Sequence, residues 1–449
     1  MIDYIKEHKQ FLYLLIIWCV VGMFGGPAFL GVIPLCIILL KRKKMYVELI
    51  CGLFFVAVLS DSWSDSMAWT KNIKDVYLVM LSLFVFFDPK EFPYKNTIFL
   101  PFIPFLVVAV ALIARSPDII PTAERTLSYI LVVVVLPAYY TKMLTEEPDR
   151  FIKGLVYTGV GLLLYGLIFI PIDFHMTYLA GRYRGVMGNP NGLGIFCTVF
   201  FAFFTIATNK YKTIFSKKEI RFIYITILVT VALTGSRDAI LSITIFYSFS
   251  RFFKMSYWLG FILIIIIALV YQIIVANITD ILTAAGLKEF MRADNLKEGA
   301  GRIVAWRFAW VQIQHNFFFG KGFGYESWIF FQNQPMLNAM GHMGNSHNSY
   351  LAQWLNTGLV GLIFFLFALI YRSVKASARS VYALPLMYSV MFSATFEAWF
   401  IGSLNPHTPM LILMWTMMMV DAKAVTPEKK PAFDKYKIPT LAHEQKITS

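Results

Sequence analysis

The chain has 449 residues, 58% of them hydrophobic and 17% aromatic, and carries a net charge of +14 with a mean hydropathy of +0.64. Charged residues make up only 15%, against about 25% in soluble globular proteins, and the apolar residues lie in blocks long enough to cross about 30 Å of hydrocarbon. This excludes a soluble domain and marks an all-α, polytopic membrane protein.

The positive charge does not signal nucleic acid. Lys41-Arg42-Lys43-Lys44, the basic residues within 210–221, 251–254 and 372–379, and the lysine-containing tail after Asp421 are all short flanks of apolar blocks. Placing these flanks inside satisfies the positive-inside rule. Anionic lipid adds a further, unspecific attraction. Cys19, Cys36, Cys51 and Cys197 sit within apolar blocks without paired spacing and read as core residues, not as a disulfide framework or a metal site.

In chain order, Lys6 and Lys9 precede a first apolar run without a small-x-small cleavage site, so the run reads as an uncleaved span. Candidate spans follow at 10–24, 27–40, 46–60, 75–87, 97–114, 127–140, 151–172, 190–208, 221–235, 238–250, 257–275, 350–371, 381–401 and 408–420. Several fall below about 17 residues, so some pairs serve as half-spanning hairpins and the expected number is 12–14. The expected organisation is a transmembrane region at 1–275, an outward loop at 276–349, further transmembrane helices at 350–420 and a disordered cytoplasmic tail at 421–449.

With the basic flanks inside, the unusual polar residues gather outside. Residues 173–189 contain Gly181-Arg182-Tyr183-Arg184-Gly185, and Asn189-Pro190-Asn191-Gly192 leads into the next span, with Pro190 suited to a first helical turn. Two readings stand for this loop: a turn with two interfacial arginines, or a contribution by Arg184 to a site. Arg237 sits in a Thr-Gly-Ser-Arg break between apolar blocks, where a charge is costly and serves either binding or snorkelling.

Within the long loop, 302–315 predicts an amphipathic helix with Ile303, Trp306, Trp310 and Ile313 on one face, ended by Gly320 and Gly322. Arg302 and Trp306 then share a side. Asn345 or Ser346 is expected to cap the next span, placing His347 in its first turn, where the helix dipole favours a neutral imidazole. His315 and His342 read as solvent-facing. Glu397, near the outer end of an apolar span, is either a functional carboxylate or a salt-bridge partner for an arginine.

Planar guanidinium groups suit a diphosphate, and a neutral imidazole suits removal of a proton from a hydroxyl. A reaction that uses both is transfer of a group from a lipid diphosphate to an alcohol at the outer surface, the arginines stabilising the departing charge.

The chain resembles the bacterial O-antigen ligase and polymerase family. The resemblance runs from Tyr183 to Ile363 and is carried by Thr234-Gly235-Ser236-Arg237, Gly301-Arg302-x-x-x-Trp306, Gly320-x-Gly322, His347-Asn348-x-Tyr350 and Gly358-x-x-Gly361. It implies a GT-C-like, metal-independent and inverting glycosyltransferase without a cofactor, in the bacterial inner membrane. The donor would be an undecaprenyl-diphosphate-linked glycan, the acceptor lipid A-core or another glycan, and the active site would face the periplasm. By the same resemblance Arg237 and Arg302 would engage the diphosphate and His347 would activate the acceptor. Arg184, Trp306, Asn348, Tyr350 and Glu397 are supporting candidates. Asp238 departs from the small residue usual after that arginine. A polymerase of the same family and a transporter of a lipid-linked glycan are the alternative readings.

Overall fold

The computed structural model describes residues 8–94, 97–255, 302–342, 344–400, 402 and 404–420, with isolated positions between 259 and 284. The predicted span at 257–275, the first part of the long loop through Gly301, and the tail after 420 lie essentially outside the described residues.

Every other apolar run is a helix. In order these are α1 Lys9–Phe24, α2 Phe29–Arg42, α3 Tyr46–Leu59, α4 Ala68–Phe87, α5 Ile103–Ala111 with short 3-10 turns on either side, α6 Ile119–Glu146, α7 Pro148–Phe169, α8 Pro190–Lys210, α9 Lys217–Thr234 and α10 Arg237–Met255. After the gap come α11 Arg302–His315, α12 Tyr325–Gln332, α13 Gln334–Ala339, α14 Ser349–Ser377, α15 Ala383–Phe396 and α16 His407–Met419. Four of them, α6, α7, α8 and α14, are long and apolar enough to cross a membrane by themselves. The chain is an all-α polytopic membrane protein. Its β structure among the described residues is one tiny hairpin, β1 Tyr178–Leu179 and β2 Arg182–Tyr183. Ala180 and Gly181 between them both have positive φ, as a two-residue turn of type I′ requires.

α8 and α16 form the centre. Nearly every residue of each is buried, which fits helices that are apolar on all sides. Outer helices instead present large apolar side chains outward, among them Phe86, Phe87, Ile225, Leu228 and Phe367, as lipid contact demands.

The two ends of the bundle differ. At one end lie the ion pairs Lys41–Asp88 and Lys44–Glu91 and the capping box of Ser216 and Glu219. The helices α8, α9, α10, α14 and α15 alternate in direction, so the start of α8, the α9–α10 turn, the start of α14 and the end of α15 all come to the opposite end. A helix of about 20 residues spans about 30 Å, so residues separated by one full helix return to the same end only after the next helix brings the chain back.

The helices α11 and α12 sit on the first turns of α14. Ala305, Ala309, Ile313, Tyr325, Phe330 and Leu337 pack with Leu355 into a small core of their own. The buried stripe of α11 is therefore Ala305–Ala309–Ile313, while Ile303 and Trp310 of the expected apolar face are exposed. Small residues allow α11 to approach α14 closely, which the larger ones would prevent.

Nor do Gly320 and Gly322 end α11, which stops at His315. The segment after it inserts into a break in α14. Gly358 has φ 72 and ψ 179, the backbone N–H groups of Leu359 and Val360 donate to Phe317 O and Phe318 O at 2.9 and 3.2 Å, and Gly322 N donates to Asn356 O at 2.8 Å. A Cβ on Gly320 would lie 2.4 Å from Asn356 O. The strand-like contact replaces helical hydrogen bonds that the break gives up.

Candidate active site

At that end of the bundle a cavity of about 230 Å³ is lined by Arg182, Asn191, Ser236, Arg237, Asp238, Arg302, His342 and His347. It therefore holds Arg237, Arg302 and His347 together, although they come from three separate stretches of sequence.

Each is placed by a helix terminus. α9 ends on Gly235, whose left-handed φ of 56 closes the helix, and α10 starts at once on Arg237. Arg302 is the first residue of α11, its guanidinium 5.7 Å from the centre of the Phe396 ring. The cap of α14 is Asn348, not Asn345 or Ser346: its Oδ1 accepts from the N–H of Tyr350 at 2.9 Å and of Leu351 at 3.0 Å. His347 thus lies just before the helix instead of in its first turn, with a positive φ of 45. The reason is that Asn348 is extended and turns the chain, while Asn345 Oδ1 accepts the His347 N–H at 2.9 Å. The environment of the imidazole is consequently set by a carboxylate.

That carboxylate is Glu397. It lies one residue beyond the end of α15, in extended conformation, and not within the helix. Its Oε2 is 3.1 Å from His347 Nδ1 and its Oε1 accepts from Arg302 Nη2 at 3.0 Å and from Asn191 Nδ2 at 2.8 Å. Asn191 Oδ1 in turn accepts from Arg182 Nη2 at 2.7 Å, and Arg182 Nε donates to Thr234 O at 2.8 Å. A carboxylate accepting from Nδ1–H leaves the lone pair of the imidazole on Nε2. A guanidinium carries five donors, so the bond to Glu397 leaves most of Arg302 to serve another group. Asp238 Oδ1 and Oδ2 accept from the hydroxyls of Ser242 and Ser393 at 3.3 and 3.0 Å, so its carboxylate is occupied by α10 and α15.

Among the supporting candidates, Trp306 Nε1 donates to Ser346 O at 3.0 Å and Tyr350 OH donates to Met391 O at 2.7 Å. Arg184 does not reach the cavity. Its guanidinium lies 4.0 Å from the centre of the Trp63 ring and donates to Met176 O and His175 O. The loop arginine at the cavity is Arg182, two residues earlier. His342 is buried instead of solvent-facing, with Nε2 2.9 Å from Asn345 O and its ring edge-on to His347 at 5.9 Å. Sequence reasoning missed Arg182, Asn191 and His342. For Asn191 the signal was there, in the Asn-Pro-Asn-Gly helix start, but it read as turn chemistry alone.

Beneath His347, Glu326 of α12 is buried, and its Oε1 accepts the Ser346 N–H at 2.8 Å. Burial pushes its carboxyl above the ordinary range, and the bond from Ser346 opposes the shift.

No curated protein matches the chain. Residues 222–366 match the family model described as O-Antigen ligase, a segment that includes Arg237, Arg302 and His347 and stops before Glu397. Through that segment, about a third of its length, the chain is similar to the O-antigen ligase family, and the match, in keeping with the helical membrane architecture, supports a function of the ligase or polymerase type.

Proposed function

We propose that the chain is a glycosyltransferase that moves a glycan from undecaprenyl diphosphate to a hydroxyl of lipid A-core, at the periplasmic face of the bacterial inner membrane. The observation that supports this most is the one cavity that holds Arg237, Arg302 and His347, with Glu397 joining His347 to Arg302. In this reading 1–275 and 350–420 anchor the chain, 276–349 is the catalytic loop and 421–449 is cytoplasmic.

His347 Nε2 takes the proton of the acceptor hydroxyl as its oxygen attacks the anomeric carbon. The bond from that carbon to the diphosphate oxygen breaks, and the electron pair leaves with the diphosphate. Arg237 and Arg302 neutralise the growing charge, so the step is metal-independent and needs no cofactor. Direct displacement inverts the anomeric centre. Glu397 holds the imidazole in the correct tautomer and stabilises the imidazolium that forms, as a carboxylate does in other base dyads.

Polar groups strung along a path near mid-membrane are expected of a carrier. Their convergence at one end of the bundle favours a transferase. The same site serves a polymerase if the acceptor is a second lipid-linked repeat unit.

The test is transfer by the full chain in nanodiscs, from an undecaprenyl-diphosphate-linked glycan to lipid A-core. His347→Ala should lower the rate by about 10²- to 10⁴-fold, the usual share of a general base. Undiminished transfer by that variant would falsify the mechanism. In a deletion strain, lipid-linked polymer accumulating without attachment identifies a ligase, and single repeat units identify a polymerase.

A further inference from the structure

Building on the transferase reading above, we propose that Glu326 is a positioning residue. Its buried carboxylate and the Trp306 indole grip the two sides of Ser346, and so hold His347 in the backbone conformation that aims its ring at Glu397.

Ser346 is fully buried, and both its backbone polar groups are taken by side chains of α11 and α12. Its N–H donates to Glu326 Oε1 at 2.8 Å, and its carbonyl accepts from Trp306 Nε1 at 3.0 Å. Glu326 is itself 1% exposed. Its own N–H donates to Asn356 Oδ1 at 2.9 Å, which ties the carboxylate to α14, the helix that begins two residues after His347. Trp306 belongs to α11, the helix that also supplies Arg302. The grip on Ser346 therefore references the imidazole to α14 and to the helix that carries Arg302.

His347 needs such a grip. With φ 45 it occupies the left-handed region, where a residue with a Cβ is uncommon and persists only if its surroundings determine it. Asn345 Oδ1 accepts the His347 N–H, and Ser346 Oγ donates to Asn348 O at 3.2 Å. These bonds are internal to the turn, and Glu326 and Trp306 anchor that turn to the rest of the protein. Relaxing His347 to negative φ would swing its ring away from Glu397, and a displacement of about 1 Å in a catalytic group costs about 10²-fold in rate. Ser346 needs an oxygen acceptor from residue 326 and not a full charge. A glutamine there retains that acceptor, and an alanine loses it. Glu326 neither gives nor takes a proton in the reaction.

The experiment compares Glu326→Ala, Glu326→Gln, Trp306→Phe and His347→Ala in the nanodisc transfer assay, with an undecaprenyl-diphosphate-linked oligosaccharide as donor and lipid A-core as acceptor. Glu326→Ala and Trp306→Phe should each lower kcat by about 10- to 100-fold with donor KM within twofold of wild type, and Glu326→Gln should restore kcat to within about fivefold. The proposal is overturned if Glu326→Ala keeps kcat within threefold, if glutamine fails to restore it, or if the loss falls on KM. If Glu326→Ala does not accumulate in membranes, Trp306→Phe decides, since it keeps an aromatic ring at the position while removing the donor. His347→Ala separates the two readings. Activity in that variant defeats the transferase mechanism, whereas an inactive His347→Ala beside a normal Trp306→Phe defeats only the grip.

Discussion

His347 Nδ1 lies 3.1 Å from Oε2 of Glu397, fifty residues further along the chain and at the end of a different helix. The same carboxylate holds Arg302 through its other oxygen. The group that orients the His347 imidazole is thus also the group that positions a guanidinium.

Glu397→Gln keeps the shape of the side chain and removes its charge. It should lower kcat by on the order of 10²-fold or more, because an amide can hold the wrong imidazole tautomer and stabilises the imidazolium poorly. Transfer kinetics with the acceptor varied at saturating donor check this. An unchanged kcat would remove Glu397 from the proposed mechanism.

Arg302→Lys conserves charge but loses the planar fork that holds Glu397 and, in the proposed reaction, would also reach a donor phosphate. Losing one charge-assisted hydrogen bond costs about 1.5–3 kcal/mol, so kcat/KM should fall by about 10- to 100-fold, measured with donor varied at fixed acceptor.

Arg182 and Arg184 are two residues apart and should behave oppositely. Arg182→Ala removes the donor to Asn191 and should lower kcat/KM by about tenfold. Arg184→Ala loses its stacking on Trp63, worth about 0.5–2 kcal/mol, and should lower the Tm with transfer kinetics within twofold. Equal kinetic losses in the two variants would contradict the assignment.

Asp61, partly buried beside the first turn of α8, predicts a pH dependence of stability. Burial pushes its carboxyl up from 3.8 to about 6, against the pull of Lys74 and Lys71. Between those values the folded chain keeps a proton that the unfolded chain releases. Its contribution is therefore fully present below the unfolded value and is lost as pH rises through about 6, at most about 3 kcal/mol in all. Asp61→Asn should flatten that part of the Tm–pH curve and raise Tm at neutral pH. A wild-type slope persisting in the variant would place its origin elsewhere.

Gly358→Ala should prevent stable folding. The position has φ 72, and a Cβ there would lie 2.3 Å from Phe318 O. Left-handed backbone alone costs about 1–3 kcal/mol for a residue with a Cβ, and the clash would expel the segment that docks α11 and α12 on α14. Membrane yield and monodispersity in detergent measure the effect, with Gly31→Ala, where a Cβ meets nothing within 4 Å, as the control.

The sequence by itself determined the membrane class and the helices of the described part, because the length of an apolar run is a local property that each segment carries alone. It also singled out Arg237, Arg302 and His347, since charged and turn-forming residues at the ends of apolar runs stand out without neighbours. What it could not decide was partnership. Glu397 meets His347 and Arg302 only because α14 and α15 pack with their ends together, and Arg182, not Arg184, reaches the cavity only because the hairpin turns where it does. The buried face of α11 was misread for a related reason: two alanines carry little hydrophobic signal, yet their small size is what lets α11 pack on α14. The capping residue went the same way: the sequence points to Asn345 or Ser346, and Asn348 caps instead because the backbone is extended and turns there. Pairings across helices depend on close packing between surfaces distant in the chain, and no run of neighbouring residues records that.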